Sequence, residues 1–452
     1  MIVAKFGGTS VGDAAAIRRT AAIIRGRLDR QPVVVVSALA GTTSALIASA
    51  ERAANGQLVA AIEQVEALRE QHLATARELI GTGADADDVA AEISMLFDEL
   101  AHLAEALSVL GYLTPRSLDT ISAMGEQLSA PIVAAAFRRH DIDTVLVDAR
   151  RVLITDATFG KAEPQEEAIA AAARELLVPH VKAGRVPILG GYMGSTREGV
   201  TTTLGRGGSD YSAALFGAAL NAEAIEIWTD VDGMLTCDPR VVTGAQLIEH
   251  IRFDEAAELA SFGAKVLHPN TIAPAVKRGI PVFVFNSLRP DGIGTRITSD
   301  APAFPVRAIA GKGNTMVVKV HSPRMLGMPG ALRAIFDVFA RHKTSVDVVT
   351  TSEVSVSLTV DDDQHLDAVL AELRSFGDVE LERNRGIVAL VGAGLGESSP
   401  AMAKAIAAIG DTRLHMLSLS ATGINLTMIV DGDQVKPVMR QLHQAFFGTG
   451  AA

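Results

Sequence analysis

The sequence predicts an α/β fold, a large parallel-sheet domain with a long helical insertion, followed by two small ferredoxin-like sandwiches. Three observations carry this prediction. Short runs of β-branched residues, apolar on both faces, recur through the first two-thirds of the chain, as buried parallel strands do. Helical patterns separate them, and one continues from about residue 56 to 108. In the last third a β-α-β-β-α series occurs twice, as a weak internal repeat.

Ile2–Phe6 is an apolar run ending at Gly7-Gly8, and a helical pattern follows from Asp13 to about Leu28. Val33–Val36, four β-branched residues in a row, reads as the second strand. After the long helical stretch a further helix is expected over about Leu118–His140, then strands at Asp143–Asp148, Val186–Gly190, Ala224–Thr229 and Pro281–Phe285. The Gly-, Pro- and Asp-rich stretch Asn286–Ala303 reads as a boundary loop. Beyond it, Thr315–His321, Ser345–Thr351, Ser355–Val360 and Val379–Arg383 are expected strands, with helices at Gly330–His342 and His365–Arg374. The series restarts with strands Ile387–Val391, His415–Ser420 and Asn425–Val430 and helices Ser399–Ile409 and Gln434–Phe446.

Composition narrows the function. The 452 residues suit about three domains. With 41 Lys+Arg against 52 Asp+Glu, a net charge of −11 and no basic stripe, no nucleic-acid surface is expected. A single phosphate group can still be held by a few local amides and cations. Cys237 is the one cysteine, which rules out a disulfide framework or a structural Cys-zinc site and fits a reducing compartment. The N-terminus has no signal-peptide core, and no apolar stretch is long enough to span a bilayer. The expectation is a soluble, cytoplasmic protein with no membrane partner.

Several motifs could carry chemistry. Lys5-Phe6-Gly7-Gly8-Thr9-Ser10 ends the first strand; it is either a plain strand-to-helix turn or an anion site made of backbone amides and Lys5. It is neither a Walker A loop nor a dinucleotide fingerprint. Thr201-Thr202-Thr203-Leu204-Gly205-Arg206-Gly207-Gly208-Ser209-Asp210-Tyr211 opens a helix. It joins glycines, hydroxyls, a helix N-terminus and an arginine able to clamp a carboxylate or phosphate, a combination that a structural loop seldom needs. Trp228–Arg240 leads from a strand into a turn with three aspartates, at the sheet edge where open α/β sheets bind ligands, though taken alone it reads as a surface loop. Ser37 and Thr43 follow the second strand at the same edge, and Gly125-Glu126 interrupts an apolar helix, as a partnered core group or a ligand contact. Gly392-Ala-Gly394-Leu-Gly396 is not read as a dinucleotide loop, because Glu397 stands where a glycine is needed. No zinc-hydrolase His pair and no G-x-S-x-G elbow occur.

KFGGTSV at Lys5–Val11, MGEQLS at Met124–Ser129, TTTLGRGGSDY at Thr201–Tyr211, WTDVDG at Trp228–Gly233, DPR at Asp238–Arg240 and FGAKVLHP at Phe262–Pro269 together resemble aspartate kinases of the amino acid kinase superfamily, over essentially the whole chain. The resemblance implies an αβα sandwich catalytic domain over 1–298 and two ACT domains over 313–386 and 387–448, the second completed by a strand from 305–311. It implies transfer of the ATP γ-phosphoryl group to the side-chain carboxylate of L-aspartate, with Mg²⁺. A carboxylate is already ionised at neutral pH, so no general base is required, and the task is to neutralise and align two anions.

Site roles follow from the resemblance. Lys5, with the amides of Gly7, Gly8 and Thr9, is expected to hold phosphate oxygens, Lys5 serving as the transition-state cation. Arg206 is expected to clamp the substrate α-carboxylate, with Ser209, Ser37 and Thr43 nearby, and Glu126 to take its ammonium. Asp210 would organise Lys5. Thr229, Asp230, Leu235, Arg240 and Lys265 match nucleotide-contacting positions, although Leu235 replaces the tyrosine of many members. No residue is assigned as a metal ligand. The regulatory half resembles the lysine-sensitive, single-function branch, in which an effector binds between ACT domains of two subunits. Met325, Gly330, Ala331, Leu332, Ser345, Val346, Asp347, Thr351, Ser352 and Glu353 match its effector positions. Gly327-Met328-Pro329 departs from that branch's pattern, so lysine is the first expectation and threonine the alternative. A homodimer or a dimer of dimers through the ACT domains is expected.

Overall fold

The computed structural model describes residues 1–262, 269–361 and 364–448. These divide into two compact bodies, one comprising 1–234 and 269–299 and the other 235–262 and 300–448 apart from the two undescribed positions.

The first body is built on a twisted sheet whose strands run in the order Thr144–Leu146, Val186–Gly190, Pro32–Val36, Ile2–Phe6, Ala224–Thr229 and Val282–Asn286, all parallel. Thr295–Thr298 adds on antiparallel to Val282–Asn286. Ile2–Phe6 lies centrally, paired with Pro32–Val36 on one side and Ala224–Thr229 on the other. The chain order therefore reverses beside it, which opens a crevice at the carboxyl ends of these strands. The central strands are buried at every position, as a sheet covered on both faces requires.

Side chains alternate across the sheet. Ala4, Phe6, Val34 and Val36 point into the core shared with Ile17 and Ile24 of helix Ala14–Arg25 and with Leu128, Val133 and Phe137 of helix Pro115–Arg139. Helix Gly208–Leu220 packs on the strands Ile2–Phe6 and Ala224–Thr229. The same large core continues into helices Leu58–Ile80 and Ala84–Leu110 through Ala61, Val65, Ile93, Phe97 and Leu100. The fold class read from the sequence is the one observed. The stretch expected to be helical throughout is two helices, because Gly81 and Gly83 take φ of +77° and +121° and turn the chain. The expected boundary loop contains the strand Thr295–Thr298, which alternates buried and exposed residues except at its end.

In the second body a six-stranded sheet runs in the order Val349–Thr351, Ser355–Val360, Ala308–His321, Asp378–Val391, Asn425–Asp431 and Met416–Leu419. Two long antiparallel strands form its centre. Thr315–His321 pairs with Asp378–Arg385, and Ala308–Lys312 pairs with Ile387–Val391, with a register irregularity between Lys312 and Val317. Lys312-Gly-Asn falls at this irregularity within one strand, and the two strands expected around residue 385 are likewise continuous. One apolar core joins Val318, Val320, Val356 and Leu358 to helices Ala331–Arg341 and Leu366–Leu373 through Ile335, Phe339, Val369 and Leu373. A separate core joins Ile309, Val388, Leu390 and Met428 to helices Ser399–Ala408 and Val435–Phe447, with Cys237 against it.

Candidate active site

The crevice at the carboxyl edge of the first sheet opens into a cavity of ≈ 590 Å³. Three turns and one helix build it. Strand Ile2–Phe6 delivers Lys5 and Gly8, strand Pro32–Val36 delivers Ser37 and Thr43, and the segment after Thr201–Thr203 delivers Arg206, Ser209 and Asp210. Glu126 enters from helix Pro115–Arg139. Every residue expected from the sequence to be catalytic or substrate-binding thus lines one cavity.

Lys5 sits on the face of its strand opposite Ala4 and Phe6, and its Nζ lies 2.6 Å from Asp210 Oδ1, both side chains largely shielded. An ion pair so shielded keeps an ammonium group fixed at the cavity wall. Helix Thr42–Ala54 begins after Gly41 at φ +82°, and helix Gly208–Leu220 after Gly207 at φ +73°, neither with a side-chain cap. The Thr42 and Gly208 amides donate back to the Leu39 and Gly205 carbonyls at 3.0 Å each, while the next amides of each helix lack intrahelical acceptors and, with the helix dipoles, favour an anion. Gly8 lines the same wall, where a Cβ would come 3.2 Å from the Ala38 carbonyl oxygen. Cation, amide donors and a close-approaching glycine suit the phosphates of a nucleotide.

Glu126 is 3% exposed, and burial pushes its carboxyl from the ordinary 4.5 up to about 8. The Ala38 amide donates to Oε1 at 3.2 Å, while Oε2 has no protein partner among the described residues. Gly125 permits that contact, since a Cβ there would fall 2.9 Å from the Ala38 Cβ. A buried carboxylate oxygen without a donor, on a residue that lines a cavity, calls for a cationic or hydrogen-bonding ligand. Arg206 is exposed in the same cavity wall. The cavity therefore offers a carboxylate for an ammonium, a guanidinium for a carboxylate, and an ammonium with helix N-termini for phosphate.

Residues 1–286 match the Amino acid kinase family, and residues 318–374 match an ACT domain. Over 458 residues the chain is 38% identical to the lysine-sensitive aspartokinase 3 of Escherichia coli strain K12, covering 99% of each sequence. The chain belongs to the aspartokinases. The crystal structure of E. coli aspartokinase III with aspartate and ADP, in its R-state, matches this aspartokinase chain with a TM-score of 0.86 at 38% identity, covering 99% of it and 100% of that chain. The T-state complex of the E. coli enzyme with lysine and aspartate matches with a TM-score of 0.82 at 38% identity, covering 99% of both chains.

The remaining sequence-predicted positions of this aspartokinase distribute as follows. The Gly7 amide donates to the Trp228 carbonyl at 3.0 Å, so it is engaged within the protein and Gly8 and Thr9 open the turn beyond it. Thr229 and Asp230 follow the neighbouring strand, with Thr229 Oγ1 donating to Asp230 Oδ1 at 3.3 Å. Leu235 and Arg240 belong to the second body, where Arg240 is exposed and bonds Asp238 through Nε and Nη2 at 3.0 and 2.7 Å. Lys265 lies outside the described residues. Of the effector positions, Met325 closes a short 3₁₀ turn, Gly330, at φ +85°, caps the helix that begins with Ala331 and Leu332, and Thr351 ends a strand. Ser345, Val346 and Asp347 precede that strand, and Ser352 and Glu353 follow it into an exposed turn. Asp347 Oδ2 is 2.7 Å from Lys312 Nζ.

Residues that sequence reasoning missed lie on the Glu126 helix and against it. Ser129 Oγ donates to the Ser37 carbonyl at 2.9 Å, and Ser122 Oγ lies 3.4 Å from the hydroxyl of Tyr192 in the cavity wall. Asp119 is buried at 1% exposure. The spacing 119, 122, 126, 129 is a polar stripe on an otherwise buried helix, a signal legible in the sequence.

Proposed function

We propose that this cavity binds L-aspartate beside MgATP and transfers the γ-phosphoryl group to the side-chain carboxylate, giving 4-phospho-L-aspartate and ADP. This is the aspartate kinase reaction, the entry to lysine, threonine and methionine synthesis. The observation that carries the residue assignment is the unpartnered Glu126 oxygen in a cavity that also holds Arg206 and the Lys5–Asp210 pair. Glu126 receives the substrate ammonium and Arg206 clamps its α-carboxylate, with Ser37, Thr43 and Ser209 completing the polar wall. The side-chain carboxylate, ionised at neutral pH, then faces Lys5. One of its oxygens forms the new bond to the γ-phosphorus, the bond from that phosphorus to the bridging oxygen breaks, and ADP leaves with the electron pair. Lys5 neutralises charge on the transferring group and Asp210 fixes the Lys5 ammonium, so no residue acts as a general base. Mg²⁺ on the ATP phosphates supplies further charge neutralisation, and no protein ligand is assigned to it. Gly8, Thr9, Thr229 and Asp230 form the nucleotide side of the first body in this reading, and the roles of Gly7, Leu235, Arg240 and Lys265 toward the nucleotide rest on the resemblance alone. Formation of aspartyl hydroxamate from aspartate, hydroxylamine and MgATP tests the activity, and no hydroxamate would refute it.

The kinase domain spans 1–298 in this reading, with ACT domains over 313–386 and 387–448. The pairing of Ala308–Lys312 with Ile387–Val391 supports completion of the second by 305–311. Lysine is the proposed feedback effector, supported by the lysine complex of the E. coli relative and by the carboxylates Asp347 and Glu353 at the matched positions. Threonine is the alternative, separated from it by titrating activity with each amino acid. Dimers or dimers of dimers through the ACT domains and a cytoplasmic location complete the proposal. No helix among the described residues is long and apolar enough to cross a membrane.

A further inference from the structure

Asp119 is enclosed in the kinase domain, yet its carboxylate has no cationic partner among the described residues. The hydrogen bonds to its carboxylate all come from the segment that leads to Arg206 or from the segment lying against it. The Thr203 amide donates to Oδ2 at 3.0 Å and the Thr203 hydroxyl to Oδ1 at 2.7 Å. The Gly160 amide donates to both oxygens, at 3.0 and 2.9 Å. Thr203 ends its strand three residues before Arg206. Gly160 reaches the other side of the same loop, because a Cβ on Gly205 would stand 2.9 Å from the Gly160 carbonyl oxygen. The Ala162 amide donates to the Thr203 carbonyl at 2.9 Å and closes the arrangement.

Arg206 stands between Gly205 and Gly207, both at positive φ, +76° and +73°. Glycines at left-handed positions give the loop its shape but no stiffness of their own. Its stiffness must come from anchors: the Leu204 amide donates to the Tyr192 carbonyl at 3.0 Å, and beside it Thr203 is the anchor held by a buried carboxylate. Asp119 also shares a helix with Glu126, seven residues on, two turns along the same face. One rigid element thus carries both the carboxylate assigned to the substrate ammonium and the anchor of the guanidinium assigned to its α-carboxylate.

We propose that Asp119 is a positioning residue for Arg206. It never touches substrate, and through Thr203 and Gly160 it fixes the distance between the two groups that grip the amino-acid end of aspartate. This rests on the roles proposed for Arg206 and Glu126. An asparagine at 119 would turn an amide nitrogen toward donors, and Thr203→Val would remove only the hydroxyl bond.

Steady-state kinetics of the full chain test the proposal. Misplacement of a clamp by a fraction of an ångström should raise the aspartate KM of Asp119→Asn about tenfold, and of Thr203→Val about threefold. The ATP KM and kcat should stay within about twofold of the parent. Added to Arg206→Ala, Asp119→Asn should raise the aspartate KM no further, because the group it positions is gone. A purely structural role would instead lower the melting temperature and the active fraction while leaving the aspartate KM unchanged. That result, or an effect that simply adds to Arg206→Ala, overturns the proposal. If Asp119→Asn does not fold, Thr203→Val decides alone, an unchanged aspartate KM being the overturning result. An unchanged KM in Arg206→Ala itself would overturn the clamp assignment, a separate outcome from failure of Asp119 to position it.

Discussion

Replacing Glu126 with glutamine should stabilise the free protein at alkaline pH while weakening its hold on aspartate. Burial holds the Glu126 carboxyl at about 8 in place of 4.5. At about 1.4 kcal/mol per tenfold change in proton affinity, that difference amounts to about 5 kcal/mol of folding free energy. The folded-state value is the higher one, so the unfolded chain releases this proton first as pH rises. Stability is fully present below pH 4.5 and is lost progressively up to about pH 8. Glutamine has no proton to lose and can still accept from the Ala38 amide. Its own desolvation offsets part of the gain, leaving an expected advantage of about 2–4 kcal/mol at pH 8.5 and little at pH 5. Melting curves of the ligand-free protein at both pH values measure it, as a rise of several degrees confined to the higher pH. The same proton governs binding. An ammonium ligand requires the carboxylate, and at pH 7 only about a tenth of Glu126 is ionised, so the wild-type aspartate KM should tighten about tenfold between pH 7 and 8.5. Glu126→Gln should bind poorly and without that pH dependence. A stability difference indifferent to pH, or a wild-type KM that does not tighten, would refute both the burial argument and the role assigned to Glu126.

Lys5→Ala should lower kcat by about 10²–10³-fold or more with the fold intact, since it removes the fixed cation beside the transferring group; wild-type turnover would contradict that role. Arg206→Ala should raise the aspartate KM about 10–100-fold, the loss of a charge-assisted clamp, with a smaller effect on the ATP KM. Asp347→Ala should weaken inhibition by lysine about tenfold or more while leaving uninhibited activity near normal, because it removes an acceptor for an ammonium at the regulatory sheet. Inhibition curves read at fixed substrate decide that last case, and an unshifted curve would place the effector elsewhere.

The parts of the fold legible in the sequence are those whose local signal agrees with the tertiary outcome. Val33–Val36 could only be a buried strand, and the central sheet buries it entirely. Met193–Ser195 and Thr201–Thr203 pair as a hairpin, but three residues each are too few to show alternation. The break at Gly81–Gly83 was masked by periodicity on both sides, although its glycines were in view. For the site, Lys5, Arg206 and Asp210 were legible because anion binding concentrates unusual residues in short runs. Asp119 is visible in the sequence only as one position of a polar stripe; its anchoring contacts are not, because its partners Gly160 and Thr203 lie 41 and 84 residues away and only the folded chain brings them together. Tyr192 carries φ of +63° in the cavity wall, a backbone state imposed from outside its own sequence.

The strands Ala308–His321 and Asp378–Val391 each serve both regulatory sandwiches. The two sandwiches are consequently not modular parts. A chain cut after residue 386 would lose more than its last sandwich, since it would strip the pairing from Ala308, Ile309 and Ala310, all buried, and leave a sticky apolar edge. Nor could the effector half be grafted alone onto another enzyme, because its two central strands would arrive with frayed ends.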